Sequence, residues 1–285
     1  LGIDCQIARI SSPDQAVSTF ADALPFISSD PSPYQPGAPS THGAQRAYQS
    51  LRDATAAAQS GKASGIVTAP VAKSAIAAIE DGFLGQTEWL ADRCDLPHDQ
   101  VVMMLAGPQL RTVPLTIHCP LSEVPKRLTK DLILNRARIT DKALREDYGL
   151  PNPRLAFTGL NPHAGEEGHL GREAIEIIAP AIAQLQAEGI NAAGPYPADA
   201  MFAPHMRASY DVALAMYHDQ ALVPLKALDF DAGVNVTLGL PIVRTSPDHG
   251  TAFDIAGKGI ANPGAMIAAI SLAGEVASRR AAACQ

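Results

Sequence analysis

The sequence predicts an α/β protein with mostly parallel sheets, and three observations support that prediction. Short apolar runs alternate with amphipathic helical stretches along most of the 285 residues. Some runs are apolar throughout, as is typical of strands covered by helices on both sides of a sheet. Polar or glycine-rich segments follow the runs directly, where open α/β sheets place their ligands. The length allows one large domain or two ordinary ones.

Composition and charge narrow the class of partner. A hydrophobic content of 47% with 18% charged residues is ordinary for a globular chain. The net charge of −7 argues against nucleic acid and anionic membranes as partners, although a few local cations could bind a small anion. We see no membrane-spanning run and no signal peptide. The four cysteines form no C-x-x-C pair, which favours free thiols in a reducing cytoplasm.

Turn and cap signals divide the first third of the chain. The Pro/Ser-rich segment Ser28–Ser40 predicts a loop, and Thr41 is placed as the N-cap of a helix that ends near Gly61. Thr87 is placed to cap a later helix. The run Val101–Leu105 is fully apolar, which predicts a central strand of a parallel sheet.

Three histidines in the middle of the chain each follow a short apolar strand. They are His118, His163 and His218. Neutral imidazole is a common metal ligand, and three ligands with an open position form a catalytic zinc site. The spacings of 45 residues (118 to 163) and 55 residues (163 to 218) match no short metal motif, so structural histidines remain an alternative. His169 and His249 are competing candidates for the same role.

A second group of polar residues lies later in the chain. Lys226 and Arg244, with Asn235 between them, could hold a carboxylate or phosphate of a substrate. Alternatively, the two cations could form surface ion pairs with Asp229 and Asp231. The chain contains neither G-x-G-x-x-G nor a Walker A motif, so it lacks the usual nucleotide-binding fingerprints.

Long segments of the chain resemble the 4-hydroxythreonine-4-phosphate dehydrogenase family. They are N-P-H-A-G-E-E-G-H-L-G-R-E from Asn161, A-L-A-M-Y-H-D-Q-A-L-V-P-L-K from Ala213 and V-N-V-T-L-G-L-P-I-V-R-T-S-P-D-H-G-T-A from Val234. The resemblance covers nearly everything from about Gly65 onward. It implies two α/β/α domains of the isopropylmalate dehydrogenase type, with the active site in the cleft between them. Residues 1–105 and 241–285 would form the NAD-side domain, and residues 106–240 would carry the metal ligands and the dimer interface.

The same resemblance implies an activity. The enzyme would use NAD or NADP to oxidise the C3 hydroxyl of 4-phosphooxy-threonine. The β-keto acid product would decarboxylate to 3-amino-2-oxopropyl phosphate, a step of pyridoxal phosphate biosynthesis. A divalent metal, zinc first with magnesium or cobalt as alternatives, would assist at a site shared across a cytoplasmic homodimer.

The functional residues carry over position by position. The metal ligands would be His118, His163 and His218, and the substrate contacts Gln86, Thr87, Lys226, Asn235 and Arg244. The cofactor contacts would be His249, Gly250, Thr251 and Asp254. Asp219, and as a weaker candidate Asp199, would orient a ligand or relay a proton.

Two departures from the family pattern leave other functions open. Gln86 stands where the family has a histidine, and glutamine can donate a hydrogen bond but cannot shuttle a proton. The family's glycine-rich opening segment is absent, so its first strand and helix are expected to be missing or replaced. The near alternative is a sister dehydrogenase acting on a threonate phosphate or a cis-dihydrodiol carboxylate. The distant one is a metal-dependent hydrolase or an anion-binding protein.

Overall fold

The computed structural model describes residues 5–27 and 35–283, which alternate between strands and helices as an α/β fold. The strands are β1 (Ile7–Arg9), β2 (Leu24–Phe26), β3 (Gly65–Val67), β4 (Val102–Ala106), β5 (Arg111–Thr116), β6 (Leu155–Thr158), β7 (Ala192–Tyr196), β8 (Val212–Tyr217), β9 (Val234–Leu238) and β10 (Val243–Pro247). The helices are α1 (Ala16–Phe20), α2 (Thr41–Gln59), α3 (Lys73–Ala77), α4 (Gln86–Arg93), α5 (Val124–Arg127), α6 (Lys130–Glu146), α7 (Ala179–Ala187), α8 (Ala198–Met201), α9 (Pro204–Arg207), α10 (His218–Asp229) and α11 (Gly264–Ala283). A π-helical turn, Ala174–Ile178, leads into α7.

Eight strands form one continuous mixed sheet in the order β3-β10-β9-β4-β5-β8-β6-β7. The pairs β3/β10, β5/β8, β8/β6 and β6/β7 are parallel, and β10/β9, β9/β4 and β4/β5 are antiparallel. The predicted α/β class with a mostly parallel sheet is confirmed. The other two strands, β1 and β2, pair parallel with each other in a separate small sheet.

The prediction that Val101–Leu105 lies in a parallel region of the sheet is wrong. The strand is central, but β4 pairs antiparallel with both of its neighbours. Val102 and Met104 enter the core cluster on one face of the sheet, while Leu105 enters the cluster on the other. A strand therefore reads as uniformly apolar because both of its faces are covered, whatever the direction of its neighbours.

Helix starts differ from the predicted caps by one or two residues. The N-cap of α2 is Ser40, whose hydroxyl accepts a hydrogen bond from the Gly43 amide at 3.0 Å, and not Thr41. Two neighbouring hydroxyl residues compete for the cap, and only Ser40 has the extended backbone that the position requires. Thr87 lies inside the first turn of α4 rather than at its cap.

Other expectations concern the ends of the described ranges. The loop predicted at Ser28–Ser40 falls partly on residues 28–34, outside the described residues, and residues 35–40 contain neither helix nor strand. Among the described helices none is both long and apolar enough to cross a membrane.

Two parts of the chain build separate cores. Side chains of α6, α7 and the central strands form the largest cluster, around Phe157, Ile133 and Leu144. Another cluster, around Trp89 and Ile66, joins α2, α4 and β3. The division into residues 1–105 plus 241–285 and residues 106–240 stays a prediction.

Candidate active site

Two of the predicted metal ligands, His118 and His218, lie beside each other. They follow β5 and β8, which are adjacent and parallel, with Thr116 in register with Tyr217. The two ring centroids are 6.4 Å apart and the rings are tilted by 39°. A ring centre lies roughly 3.2 Å from an ion bound at about 2.1 Å, so two rings on one ion span at most roughly 6.5 Å. Tetrahedral ligands would place the ring centres roughly 5.3 Å apart, so the rings would have to approach by about 1 Å to share a zinc ion.

The surroundings of these imidazoles suit metal binding. Asp219 Oδ1 lies 2.7 Å from His218 Nδ1, which leaves Nε2 for a metal, as in many carboxylate–histidine–metal arrangements. Burial lowers the pKa of His118, the charge of Lys73 lowers it further, and Glu88 opposes the shift. The neutral imidazole is therefore favoured, and neutral imidazole is the form that binds metal.

His163 begins a turn of unusual handedness. All five residues from His163 to Glu167 have left-handed backbone, with φ between 43° and 88°. Each non-glycine residue in this conformation costs roughly 1–2 kcal/mol, so the turn persists only because its surroundings fix it. A Cβ on Gly159 would lie 2.6 Å from the Ala164 Cα, which shows how closely the start of the loop packs against the turn. Backbone strain of this kind is concentrated at functional sites.

One chain does not complete a three-ligand site. Among the described residues no group of three His, Cys, Asp or Glu side chains could hold a metal ion. The structure therefore brings together His118 and His218 but not His163. The competitor His249 turns its Nδ1 toward the Gly250 carbonyl, at 2.9 Å.

A cleft of about 690 Å³ opens beside the histidine pair. Of the predicted site residues, it is lined by His118, His218, Gln86, Thr87, Lys226, Asn235, Arg244, His249 and Gly250. Residues that the sequence analysis did not assign to the site also line it, among them Glu88, Ser246 and Asp248. Most of the predicted substrate and metal residues therefore share one cavity.

Arg244 is the buried cation of this cleft. It is only 5% exposed, and burial lowers its pKa to about 10, with Glu88 opposing the shift, so it stays charged at neutral pH. Its Nη1 donates to Thr237 Oγ1 at 3.0 Å, and its Nη2 donates to Thr68 Oγ1 and Gln86 Oε1, both at 2.9 Å. Its Nε has no partner. A buried guanidinium with an unsatisfied donor is a candidate contact for a bound anion.

The alternative ion pairs with Asp229 and Asp231 are not formed. Among the described residues no carboxylate pairs with Arg244, and Lys226 pairs with Asp248 at 3.1 Å. Asp229 instead accepts from the Gln109 backbone amide. Sequence proximity was misleading because Asp229, at the end of α10, is held by Gln109 instead.

Gln86, the first residue of α4, supports Arg244. Its Oε1 accepts from Arg244, and its Nε2 donates to the Ala69 carbonyl at 3.1 Å. Arginine only donates and a carbonyl only accepts, so this orientation of the amide is the one that satisfies both contacts. The residue that departs from the family pattern therefore holds the Arg244 guanidinium in place.

Besides His163, four predicted residues do not line this cleft. Thr251 lines a second cavity of about 780 Å³, which shares Pro70 and Val71 with the first. Asp254 lies in the short 3-10 turn after Thr251. Asp219 lines a pocket on the other side of the histidine pair, and Asp199 lies in α8, which packs against the His163 turn.

The comparisons with known proteins agree with this geometry. A family model described as pyridoxal phosphate biosynthetic protein PdxA matches residues 1–273. The chain belongs to this family. The 4-hydroxythreonine-4-phosphate dehydrogenase of Erythrobacter litoralis is 60% identical over 281 residues, 99% of this chain and 84% of that protein.

Solved structures place the PdxA fold in a wider group. The chain is similar to a 4-hydroxythreonine-4-phosphate dehydrogenase from Klebsiella pneumoniae, with a TM-score of 0.85, 38% identity and coverage of 96% of this chain and 83% of that one. A terephthalate 1,2-cis-dihydrodiol dehydrogenase from Burkholderia xenovorans matches with a TM-score of 0.64 and 26% identity, over 95% and 98% of the two chains. Isocitrate dehydrogenase from Methylococcus capsulatus, with a TM-score of 0.52 and 14% identity over 98% and 88%, shares the fold alone.

Proposed function

We propose that this chain is a 4-hydroxythreonine-4-phosphate dehydrogenase of pyridoxal phosphate biosynthesis. The observation that carries the proposal is one cleft that holds both the buried Arg244 and the His118–His218 pair. The proposed substrate, 4-phosphooxy-threonine, has an anionic group at each end and a secondary alcohol between them. The similarity to 4-hydroxythreonine-4-phosphate dehydrogenases supports the same activity.

Cations and amides would hold the anionic ends of the substrate. Arg244 offers its Nε and one remaining Nη1 hydrogen, since its other donors are occupied by protein oxygens. Lys226 adds a second positive charge to the lining of the cleft, and Asn235 would donate from its Nδ2. Binding at both ends would fix the C3 hydrogen for transfer to the nicotinamide.

His118, His218 and His163 would hold the divalent metal, with zinc as the first choice and magnesium or cobalt as alternatives. When bound, the ion would lower the pKa of the C3 hydroxyl. Asp219 would keep the His218 ring oriented and could relay the hydroxyl proton, with Asp199 as a second candidate.

The third ligand would come from a second copy of the chain. His163 is absent from the ligand pair formed within one chain, so a homodimer that brings His163 of the partner subunit to the pair would complete the site. Exposed apolar side chains near these segments support an interface there. They are Leu121 (65% exposed), Val223 (64%) and Leu170 (42%).

The nicotinamide cofactor, NAD or NADP, would lie across the second cavity. That cavity adjoins the substrate cleft through Pro70 and Val71 and is lined by Thr251 and Phe253. His249 and Gly250 lie where the two cavities meet, and Asp254 follows them along the loop. The cofactor would therefore reach the cleft from the side formed by residues 1–105 and 241–285.

Substrate comparison tests the proposal. The purified protein with zinc and NAD would be given 4-phosphooxy-threonine, a threonate phosphate and a cis-dihydrodiol carboxylate, and NADH formation would be followed. We expect kcat/KM for 4-phosphooxy-threonine to exceed the others by at least about a hundredfold, since a site built for specific polar groups rejects analogues that lack them. A higher kcat/KM with the dihydrodiol carboxylate would instead favour the function of the Burkholderia relative.

A further inference from the structure

Strands β6 and β8 separate at the end that faces the histidines. Their register ends at Phe157 paired with Leu214. Beyond that point β8 continues beside β5 as far as Tyr217, while Thr158 pairs with Tyr196 of β7. The separation leaves backbone groups of two central strands without a strand partner on that side. Such buried groups must find another hydrogen bond.

The side-chain amide of Gln220 fills this gap. Its Oε1 accepts from the Met216 backbone amide and from the Thr158 hydroxyl, both at 2.7 Å. Its Nε2 donates to the Gly159 carbonyl at 2.9 Å. The amide accepts from one strand and donates to the segment that follows the other, as a backbone peptide group would. One side chain therefore replaces the missing rung of the ladder.

The two segments joined by this amide are those that lead to metal-binding histidines. Gln220 lies two residues after His218, in the first turn of α10. Gly159 begins the loop to His163 and packs closely against Ala164 in the left-handed turn. A shift of the Gly159 carbonyl would therefore move the turn, because the contact between Gly159 and Ala164 leaves no space between them.

We propose that Gln220 is a positioning residue that sets the separation between the His163 turn and His218, and through it the affinity for the metal. This inference rests on the proposed function, since it requires that these histidines bind the ion. Gln220 would contact neither substrate nor metal. In the proposed dimer, His218 belongs to the metal site of its own chain and His163 to the site of the partner. Gln220 would therefore link one ligand of each site.

The test uses the isosteric substitution Gln220→Glu in the full chain. A carboxylate can still accept from Met216 and Thr158, but it cannot donate to Gly159 and it repels that carbonyl. The matched control is Gln186→Glu, because Gln186 Nε2 makes the same kind of contact, to the Ala192 carbonyl at 2.8 Å, in α7. The measurements are the Kd of Zn²⁺ for metal-free protein, by competition with a chromogenic chelator, and the Tm of that protein.

We expect Gln220→Glu to weaken zinc binding about 10–100-fold, the usual cost of losing a residue that orients metal ligands. Gln186→Glu should lower the Tm and leave the Kd within about twofold, since it touches no part of the histidine segments. A folded Gln220→Glu protein with the wild-type Kd would overturn the proposal. So would an equal weakening of zinc binding by Gln186→Glu, because the effect would then be one of general stability.

A milder substitution covers the case in which Gln220→Glu does not fold. Thr158→Val removes only the hydroxyl that donates to Gln220 and should weaken zinc binding about threefold to tenfold, as expected for one hydrogen bond. An unchanged Kd in this protein would overturn the proposal. His163→Ala separates the underlying assumption from the inference. If wild-type protein binds no zinc, or His163→Ala binds it normally, the proposed metal function itself is wrong.

Discussion

The two ends of the cleft differ in how complete their proposed binding sites are within a single chain. At the Arg244 end, three neutral oxygens from Thr68, Thr237 and Gln86 already hold the guanidinium. At the histidine end, His118 and His218 face one another, but the described residues supply no third ligand. The proposed anion site is thus formed within one chain, whereas the proposed metal site requires a second one.

The difference has an energetic side. Burying a charge without an opposite charge costs several kcal/mol, and Arg244 is tolerated because neutral acceptors satisfy much of it. An anion that binds to the free Nε would recover part of that cost. At the other end His118 is exposed and His218 is half-buried, so an incomplete ligand set carries a smaller desolvation penalty there. The histidine end, which would require a second chain, is therefore the end at which an incomplete site costs less free energy.

The largest expected effect tests whether the metal site requires two chains, by placing substitutions of His163 and His218 in different chains of one dimer. His163→Ala and His218→Ala should each lower kcat/KM by at least about a thousandfold, the scale of losing metal assistance. Co-expressed with different tags and purified as a heterodimer, the two variants would form one intact site and one site lacking both ligands. Activity should return to about half of wild type if each site draws on both chains. A heterodimer as inactive as its parents would place the whole site within one chain.

Replacing the buried cation tests the other end. Arg244→Lys keeps a positive charge but replaces the planar fork with a compact ammonium, so it loses the geometry that reaches all three oxygens and the anion. We expect the KM for the phosphorylated substrate to rise about a hundredfold, the scale of losing charged hydrogen bonds in a buried site. Steady-state kinetics would measure it. Arg154→Lys, which alters an arginine paired with Asp211 outside the cleft, is the control. A KM that changes equally in both variants would contradict the assignment.

A double-mutant cycle distinguishes two roles for Gln86: contact with the substrate, or support of Arg244. Gln86→Leu removes an acceptor from Arg244 and should raise the KM about fivefold to twentyfold. On an Arg244→Lys background the same substitution should add less than about twofold, because the contact it supports is already lost. Full additivity in this double-mutant cycle would show that Gln86 contacts the substrate itself, as the sequence comparison implied.

The smallest effect is expected on stability, at the end of the β6/β8 pair that lies opposite Gln220. Asp211 accepts from the Arg154 backbone amide and guanidinium where β6 and β8 begin, and this bonding to Arg154 lowers the pKa of Asp211. The contribution to stability is therefore present above the unfolded pKa of about 3.9 and is lost as the pH falls through the lower folded value. Asp211→Asn should cost about 1 kcal/mol at neutral pH, discounted for partial exposure. Urea unfolding would measure it, and unchanged zinc affinity would distinguish it from Gln220.

The sequence was sufficient for the fold class and for most of the cleft. Polar residues directly after apolar runs identified His118 and His218, because chemistry at the ends of strands leaves a local pattern. Arg244, which lies inside β10, was identified from its charge and its grouping with Lys226 and Asn235. The antiparallel pairing of β4 left no such pattern, since a strand buried on both faces looks the same in either direction. The Ser40 cap was missed because a neighbouring threonine gives the same signal.

The supporting contacts could not be predicted for a different reason. The contacts of Gln86 with Arg244 and of Gln220 with Gly159 join residues that are 158 and 61 positions apart. Local periodicity reports only contacts between residues close in sequence, and glutamine is usually exposed, so neither contact is indicated by the sequence. Only the folded arrangement distinguishes the glutamines that hold a site together from those that face solvent. For Gln220 the available signal was its place directly after His218 and Asp219.

The left-handed turn at His163–Glu167 has a consequence for laboratory evolution. Four of its five residues are not glycine, so the turn carries a burden of roughly 4–8 kcal/mol, comparable with the whole stability of an ordinary domain. Selection for heat resistance alone should therefore drift toward glycine at Ala164, Glu166 and Glu167. Such variants would have a higher Tm but would position His163 less rigidly. Screening for heat resistance without an activity screen would therefore select proteins of lower activity.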